Sequence, residues 1–243
     1  MDTSLPRKSS VCIDRLQMNE ARYIVTVDGL AASGKSALAK GLAKKLGMGH
    51  LNSGLLYRAV ALLALRAGLD LKSSDNVVSE MSKHSIELRR DETGSSLVLI
   101  DGLPCGDELI ATEVSTGASL IARHQEVRDR LLDLQREAFK PTGVVAEGRD
   151  MGTVVFPEAP VKFFVTAKLD VRAQRRYAQL KGTPQESSLE SITRDLEERD
   201  RRDSTSAVGT MKQADGAIAI DNSIEPLESV IEKMAGIVHN VLF

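Results

Sequence analysis

Apolar residues occur along this chain in two spacings, and their alternation predicts strands followed by helices. The run 23–27 is rich in β-branched residues and predicts a strand, whereas leucines at every fourth position predict a helix over 36–46. A second, more apolar run over 59–67 also predicts a helix. Gly47 and Gly68 follow these two segments directly and provide their stop signals.

The second half of the chain continues the same order. Short, mostly apolar runs at 144–146, 161–165 and 217–220 predict strands that are covered on both faces in a parallel sheet. The run 226–242 predicts a closing helix whose inward face carries Leu227, Val230, Ile231, Met234, Val238 and Val241. Together these elements predict an α/β fold, a three-layer sandwich around a central parallel sheet.

The segment 70–110 has a different pattern, which predicts an inserted antiparallel subdomain. Alternating runs at 85–89 and 96–100 flank the turn sequence Asp91-Glu-Thr-Gly94 and favour a hairpin. A helical pattern over 111–138 follows, and one of its faces carries Val127, Leu131, Leu134 and Ala138.

Length and composition narrow the classes of protein further. The 243 residues suit a single domain over 23–243, after an extension, 1–22, that we expect to be disordered. A net charge of −2, 3% aromatic residues and no tryptophan argue against nucleic-acid and membrane partners. Cys12 and Cys105 fit a reducing compartment and are too few for a structural zinc site, so we expect a cytoplasmic protein. Nothing in the sequence demands more than a monomer.

The run Gly29-Leu-Ala-Ala-Ser-Gly34-Lys35-Ser36 between the first strand and the first helix fits the phosphate-binding pattern G-x-x-x-x-G-K-S/T. Its glycines let backbone N–H groups surround a phosphate, and the following helix presents further N–H donors to the same anion. Lys35 can reach the β- and γ-phosphates, and the Ser36 hydroxyl can bind Mg²⁺. The sequence therefore predicts a nucleoside triphosphate site in a P-loop fold.

Two charged clusters follow downstream. The segment 172–206 contains arginines, Arg175 and Arg199 among them, and predicts either a solvated helical face or a mobile helical lid that neutralises phosphate charge. The run Glu147-Gly-Arg149-Asp150 follows a predicted strand, at the sheet edge where α/β proteins bind ligands. Arg149 suits phosphate binding, Asp150 can accept a hydrogen bond from an amine or hydroxyl, and Glu147 can hold Mg²⁺.

From Tyr23 to the C-terminus the chain resembles the bacterial-type cytidylate kinases of the nucleoside monophosphate (NMP) kinase group. The resemblance rests on three motifs whose order and spacing match: Ser53-Gly-Leu-Leu-Tyr57-Arg58, Glu147-Gly-Arg-Asp-Met-Gly-Thr-Val-Val-Phe-Pro157 and Arg199-Asp-Arg-Arg-Asp203-Ser. It implies transfer of the ATP γ-phosphoryl group to CMP, and also to dCMP, with Mg²⁺. It further implies a core over 23–69, 139–171 and 207–243, an NMP-binding insert over about 70–138, and a lid over about 172–206.

The resemblance also implies which residues form the site. ATP phosphates would be held by Gly29, Leu30, Ala31, Ala32, Ser33, Gly34, Lys35, Ser36 and Ala37. CMP would be bound by Ser53, Tyr57, Arg58, Ser119, Arg128, Arg149, Asp150, Arg199 and Asp203, with Arg199 and Asp203 on the ribose. Catalysis would depend on Lys35, Arg149, Arg175 and Arg199, and Mg²⁺ would lie at Ser36 and Glu147.

Three positions depart from the family pattern. Leu30 replaces the usual proline of the loop, Asn52 replaces an aspartate, and Ser206 replaces an arginine near the phosphates. Losing one charged hydrogen bond costs roughly 1.5–3 kcal/mol, so Ser206 predicts slowed turnover, unless Arg201 or Arg202 substitutes. An unchanged rate in a Ser206→Arg variant would contradict this expectation.

Two other functions remain open from the sequence. One is a nucleotide-binding paralogue that has lost phosphoryl transfer, which only Asn52 and Ser206 favour. The other is a kinase for UMP or AMP. A GTPase is disfavoured because the chain contains no Asn-Lys-x-Asp sequence.

Overall fold

The structure is a computed structural model, and it describes residues 23–138, 143–183, 185–205 and 211–243. Eight strands occur in these residues: β1 (Ile24–Gly29), β2 (Gly49–Asn52), β3 (Ile86–Arg90), β4 (Ser96–Ile100), β5 (Leu103–Pro104), β6 (Val144–Gly148), β7 (Val161–Thr166) and β8 (Ile218–Asp221). The α-helices of the same residues are α1 (Lys35–Leu46), α2 (Ser53–Arg66), α3 (Ser74–Met81), α4 (Thr112–Ile121), α5 (Gln125–Glu137), α6 (Leu169–Leu180), α7 (Leu189–Thr205) and α8 (Leu227–Leu242).

The central sheet is parallel and has the strand order β2-β6-β1-β7-β8. Apolar side chains of β1, β6 and β7 pack under α1 and α8 on one face. On the other face, β6 and the end of β2 pack under a wide helical turn, Met151–Val155, and under side chains of α5. The prediction of a three-layer α/β sandwich is therefore confirmed.

A second, antiparallel sheet has the order β3-β4-β5 and packs on α2. Its core also takes side chains from α3, α4 and α5. The turn after β3 docks onto the central sheet, because the N–H of His50 in β2 donates to the carbonyl of Gly94 at 3.0 Å. The predicted hairpin is confirmed, and it is fixed beside the carboxyl end of β2.

Helices α6 and α7 form a pair with a small core of their own. Ala173, Ile192 and Leu196 pack there with Ala31 of the glycine loop. This contact places the arginine-rich helices directly over the loop. Among the described residues, no helix is both long and apolar enough to cross a bilayer.

The structure corrects several sequence predictions. The pattern over 111–138 is two helices, because the chain is extended at His124, whose ring lies 2.8 Å from the Leu71 carbonyl. Strand β8 is an exposed edge rather than a covered strand, since only β7 pairs with it. In α8, Leu227 and Val241 are 43% and 55% exposed, whereas the other predicted inward residues are buried or packed in the core.

Some elements were missed entirely. Strand β2 and helix α3 were not predicted, and α2 begins at Ser53, six residues before the predicted start. Residues 1–22 and Ser206 lie outside the described residues, so the expectations about the extension and about Ser206 stay predictions.

Candidate active site

The glycine loop between β1 and α1 has a conformation that requires its glycines. Gly34 caps α1 with a φ of 87°, and a Cβ there would lie 2.4 Å from Asn222 Nδ2. A Cβ on Gly29 would lie 2.0 Å from the carbonyl oxygen of Val165. Both positions lack room for a side chain, so the loop can approach its neighbours this closely only with glycine.

The outer side of the loop is braced by α6 and by the residue after β8. The side-chain amide of Asn222 donates to the Ser33 carbonyl at 2.7 Å, and Arg175 donates to the same carbonyl at 3.3 Å. Arg175 also donates to the Asn222 carbonyl at 2.7 Å. Because these bonds occupy the Ser33 carbonyl, the loop keeps its shape and its N–H groups can face inward.

Lys35 extends from the loop into the cleft, where its ammonium group donates to the Leu30 carbonyl at 3.3 Å. Burial, together with the positive charge of Arg149, lowers the pKa of Lys35 to about 8. A bound anion would remove this electrostatic penalty. The group is therefore suited to hold a phosphate rather than to pair with a protein carboxylate.

Glu147 is the last but one residue of β6 and is 1% exposed, and both of its carboxylate oxygens have partners. The Ser36 hydroxyl donates to Oε2 at 2.6 Å, and His50 Nε2 lies 3.0 Å from Oε1. A serine hydroxyl and a carboxylate are hard oxygen ligands of the kind that Mg²⁺ prefers. No cluster of three or more His, Cys, Asp or Glu that could hold a metal occurs in the described residues. Mg²⁺ commonly binds through one or two protein oxygens together with substrate phosphates, and Ser36 and Glu147 offer two such oxygens.

Two cavities meet at the carboxyl edge of the central sheet. The first, here called the insert cavity, lies between α2, α4 and α5 and the end of β6. Its lining includes every residue predicted to bind CMP: Ser53, Tyr57, Arg58, Ser119, Arg128, Arg149, Asp150, Arg199 and Asp203. Five separate elements supply these side chains, so their convergence is a property of the tertiary fold.

One wall of the insert cavity is an ion pair between Arg128 of α5 and Asp150 after β6. The Arg128 guanidinium also lies 5.7 Å from the centre of the Tyr57 ring and donates to the Ala122 carbonyl at 3.1 Å. Burial raises the pKa of Tyr57, so the phenol stays neutral. This wall presents a carboxylate, a guanidinium and a phenol to any planar ring in the cavity.

The same cavity is also lined by several arginines that lie close together. Arg149 pairs with Asp203 of α7, and Arg199 lies on the same helix. Burial lowers the pKa of Arg149, and the nearby Arg199 lowers it further. Burial likewise lowers the pKa of Arg199, with further contributions from Arg58 and Arg176. Concentrated positive charge of this kind favours polyanionic ligands.

Asp28, the fifth residue of β1, holds the turn Met151–Val155, which directly follows Arg149 and Asp150. Its two carboxylate oxygens accept from the backbone N–H groups of Met151 and Gly152, each at 2.8 Å. Burial raises the pKa of Asp28 to about 6, although the two N–H donors and Lys35 oppose that shift. The carboxylate therefore positions the segment that contains Arg149 and Asp150.

The second cavity, here called the loop cavity, adjoins the glycine loop, α6 and α7. Its lining includes all four residues predicted to be catalytic: Lys35, Arg149, Arg175 and Arg199. Six residues line both cavities: Lys35, Ser36, Arg58, Ser115, Arg149 and Arg199. The two cavities therefore share a positively charged boundary at which two phosphate groups could meet.

Comparison with known proteins decides the family. The family model described as cytidylate kinase matches residues 25–240. The chain belongs to the cytidylate kinase family.

Individual relatives agree with this assignment. A cytidylate kinase from Pseudomonas fluorescens is 40% identical over 218 residues, which cover 89% of this chain and 95% of that protein. One from Pseudomonas putida is 38% identical over 219 residues, covering 89% and 96%. Among solved structures, a gluconokinase from Sinorhizobium meliloti matches with a TM-score of 0.45 and 14% identity over 92% of this chain and 95% of that one, which is too remote to bear on function.

The structure also shows where the other residues implied by the cytidylate kinase resemblance lie. Ala31, Ala32, Gly34, Lys35, Ser36 and Ala37 line the loop cavity, but Gly29, Leu30 and Ser33 do not. These three shape the loop through backbone contacts. Asp203, expected at the ribose, pairs with Arg149. Asn52, one of the departures from the family pattern, lines the insert cavity.

Sequence reasoning missed four contributors to this cytidylate kinase site: Asp28, His50, Ser115 and Asn222. Asp28 lies near the carboxyl end of β1 and Asn222 directly after β8, so the rule that located Glu147 could also have found them. His50 was missed because β2 itself was not predicted. Ser115 lies on a helix face, where no local pattern marks it.

Proposed function

We propose that this protein transfers the γ-phosphoryl group of ATP to CMP, and also to dCMP, giving ADP and CDP or dCDP. The observation that carries the proposal is the shared boundary of the two cavities, where Lys35, Arg149 and Arg199 lie between the glycine loop and the insert cavity. In this assignment the loop cavity holds ATP and the insert cavity holds CMP.

The chemistry needs positioning and charge neutralisation rather than a general base. The phosphate of CMP is already an anionic nucleophile, so no proton must be removed from it before it attacks. Lys35, Arg149 and Arg199 would stabilise the charge that spreads over the transferred group in the transition state. Arg175 has a different role in this proposal, because its bonds to Ser33 and Asn222 brace the loop.

Ser36 and Glu147 would hold Mg²⁺, which supplies charge neutralisation at the phosphates when it is bound. The hydroxyl and the carboxylate are only 2.6 Å apart, so both can contribute to one ion through direct or water-mediated bonds.

The cytosine ring would be read in the insert cavity by Asp150, Arg128 and Ser119. Cytosine presents an exocyclic amine beside two acceptors, and these side chains offer a carboxylate acceptor beside donors. Uracil carries a carbonyl oxygen in place of that amine, so it would set an acceptor against the buried Asp150 carboxylate. Tyr57 and Ser53 would line the ring and ribose, while Arg58 would bind the phosphate.

The same proposal divides the chain into a core, an NMP-binding insert and a lid. Residues 70–138 would form the NMP-binding insert and 172–206 the lid, with the remainder of 23–243 as the core. The apolar contacts that join α6 to α7 support a lid that moves as one body, and in this structure the lid packs on Ala31 of the glycine loop.

A coupled assay of ADP release with CMP, dCMP, UMP and AMP tests the proposal. We expect the fastest turnover with CMP and measurable turnover with dCMP. Faster turnover with UMP or AMP would overturn the assignment of cytosine. Retained ATP binding without turnover on any acceptor would favour a paralogue that has lost phosphoryl transfer.

A further inference from the structure

We infer that His50 is a positioning residue that holds the Glu147 carboxylate at Ser36 and thereby sets the affinity for Mg²⁺·ATP. This inference rests on the proposed function, and it concerns a residue that lines neither cavity.

His50 is buried, with 6% of the residue exposed, and within the described part of the chain one of its two ring nitrogens has a partner. Nε2 lies 3.0 Å from Glu147 Oε1, and because a carboxylate accepts, Nε2 carries the hydrogen. Nδ1 is also buried and has no hydrogen-bond partner among the described residues. An apolar side chain would avoid leaving that nitrogen unsatisfied, so packing alone does not explain a histidine here.

The one hydrogen bond that the His50 ring makes among the described residues is to Glu147, a predicted Mg²⁺ ligand. Glu147 accepts from Ser36 with its other oxygen at 2.6 Å, so the carboxylate is gripped from both sides. Without His50, the carboxylate could rotate about its last side-chain bond and lose its alignment with Ser36. Partners of this kind, which orient a metal ligand without touching the metal, typically change metal affinity by 10–100-fold when they are removed.

The backbone of His50 is itself fixed by the antiparallel subdomain. Its N–H donates to the Gly94 carbonyl at 3.0 Å, and the Ser96 hydroxyl donates to its carbonyl at 2.9 Å. The backbone of His50 therefore cannot move away from Glu147 without breaking its bonds to the turn and to the start of β4. The insert and the glycine loop are connected through one continuous series of bonds, from Gly94 to His50 to Glu147 to Ser36.

The test compares three substitutions that differ in whether a donor reaches Glu147. The side-chain amide of His50→Gln can occupy the place of Nε2, whereas the shorter side chain of His50→Asn cannot, and His50→Leu removes the donor altogether. ATP affinity is measured by calorimetry with Mg²⁺ and again with EDTA. Melting temperatures and CMP turnover of each variant are recorded beside the wild type.

We expect His50→Leu and His50→Asn to weaken Mg²⁺·ATP binding about tenfold, the low end of the range because ATP supplies ligands of its own. Binding of ATP in EDTA should change less than twofold, and His50→Gln should stay near the wild type. If His50→Leu does not fold, the comparison of His50→Gln with His50→Asn tests the inference. Equal Mg²⁺·ATP affinities in that pair, or equal losses with and without Mg²⁺, would overturn the inference.

The proposed function can fail separately from this inference. Absence of CMP phosphorylation by the wild-type protein would overturn the function. Normal wild-type turnover with no difference between His50→Gln and His50→Asn would overturn only the role of His50.

Discussion

The loop cavity and the insert cavity are built in different ways. The glycine loop is shaped mainly by backbone groups, with the Ser33 carbonyl held by Asn222 and the Leu30 carbonyl by Lys35. The insert cavity is shaped by charged side chains that pair with each other, Arg128 with Asp150 and Arg149 with Asp203. The first arrangement is ready for an anion, whereas in the second a ligand must replace or join existing ion pairs.

This difference predicts that removing the charged group of the loop lowers the rate and that removing its brace weakens ATP binding. Substitutions in the insert cavity should instead affect the choice and affinity of the acceptor. A preorganised positive group acts on the transition state, because it requires no rearrangement when charge develops. A side chain that is already in an ion pair must first exchange its protein partner for the substrate. The energy that it gains from the substrate is therefore reduced by the energy of the ion pair that it loses. Four experiments test this comparison.

The largest effect is expected for Lys35→Met. The variant loses the ammonium group at the boundary of the two cavities, and we expect kcat to fall about 10³-fold, as for other preorganised charged donors. Lys44→Met is the matched control, since Lys44 is exposed on the same helix. A coupled ADP-release assay measures both. A loss in the Lys35 variant that appears only in KM would contradict the comparison.

Arg128→Met should act on the acceptor instead. It removes one partner of the Asp150 ion pair, so we expect kcat/KM for CMP to fall about 10- to 100-fold, which corresponds to roughly 1.4–2.7 kcal/mol. The KM for ATP should hardly change. Arg130→Met is the control, because Arg130 is exposed on the same helix and contacts Ser82. Equal losses for CMP and UMP would argue against a role in reading the base.

A smaller effect is expected for Asn222→Ala. The variant removes the amide that holds the Ser33 carbonyl, and we expect the KM for ATP to rise about tenfold, or roughly 1.4 kcal/mol. Affinity for CMP in the absence of ATP should not change. Asn76→Ala provides an exposed control. A rise in the KM for CMP alone would show that the brace does not serve the loop.

The smallest effect is a pH dependence that arises from Asp28. Its pKa of about 6 means that the carboxylate accepts from both N–H groups at pH 7, and that protonation below pH 6 weakens this grip on the turn. We therefore expect the KM for CMP to rise a few-fold below pH 6. The phosphate of CMP titrates in the same range, so the control is Asp28→Asn, whose profile should retain only the substrate component.

The same pKa shift has a consequence for folding. Because burial raises the pKa of Asp28 above the usual value near 4, its contribution to stability is greatest at low pH and falls as the pH rises through about 6. The ionised carboxylate is thus held at neutral pH against a cost in stability. If the KM for CMP rises equally below pH 6 in the wild type and in Asp28→Asn, the turn does not depend on this charge.

The parts that could be predicted from the sequence are those with a local physical signature. The glycine loop is one of them, since its glycines and Lys35 occupy fixed spacings between a strand and a helix. The hairpin of β3 and β4 is another, because alternation and a turn sequence lie side by side. Short β2 carries too few residues for a periodic pattern, and the break at His124 depends on a contact with Leu71 that lies far away in the chain.

The amino-acid sequence by itself therefore determined the α/β class, the phosphate loop and the family to which the chain belongs. Each of these depends on short motifs whose residues are neighbours in sequence. Only the tertiary structure decided which side chains oppose each other: Asp28 beneath the turn that carries Arg149, and His50 behind Glu147. These contacts join strands that are distant in sequence and adjacent in the sheet. Their geometry follows from strand order and register, which no local pattern contains.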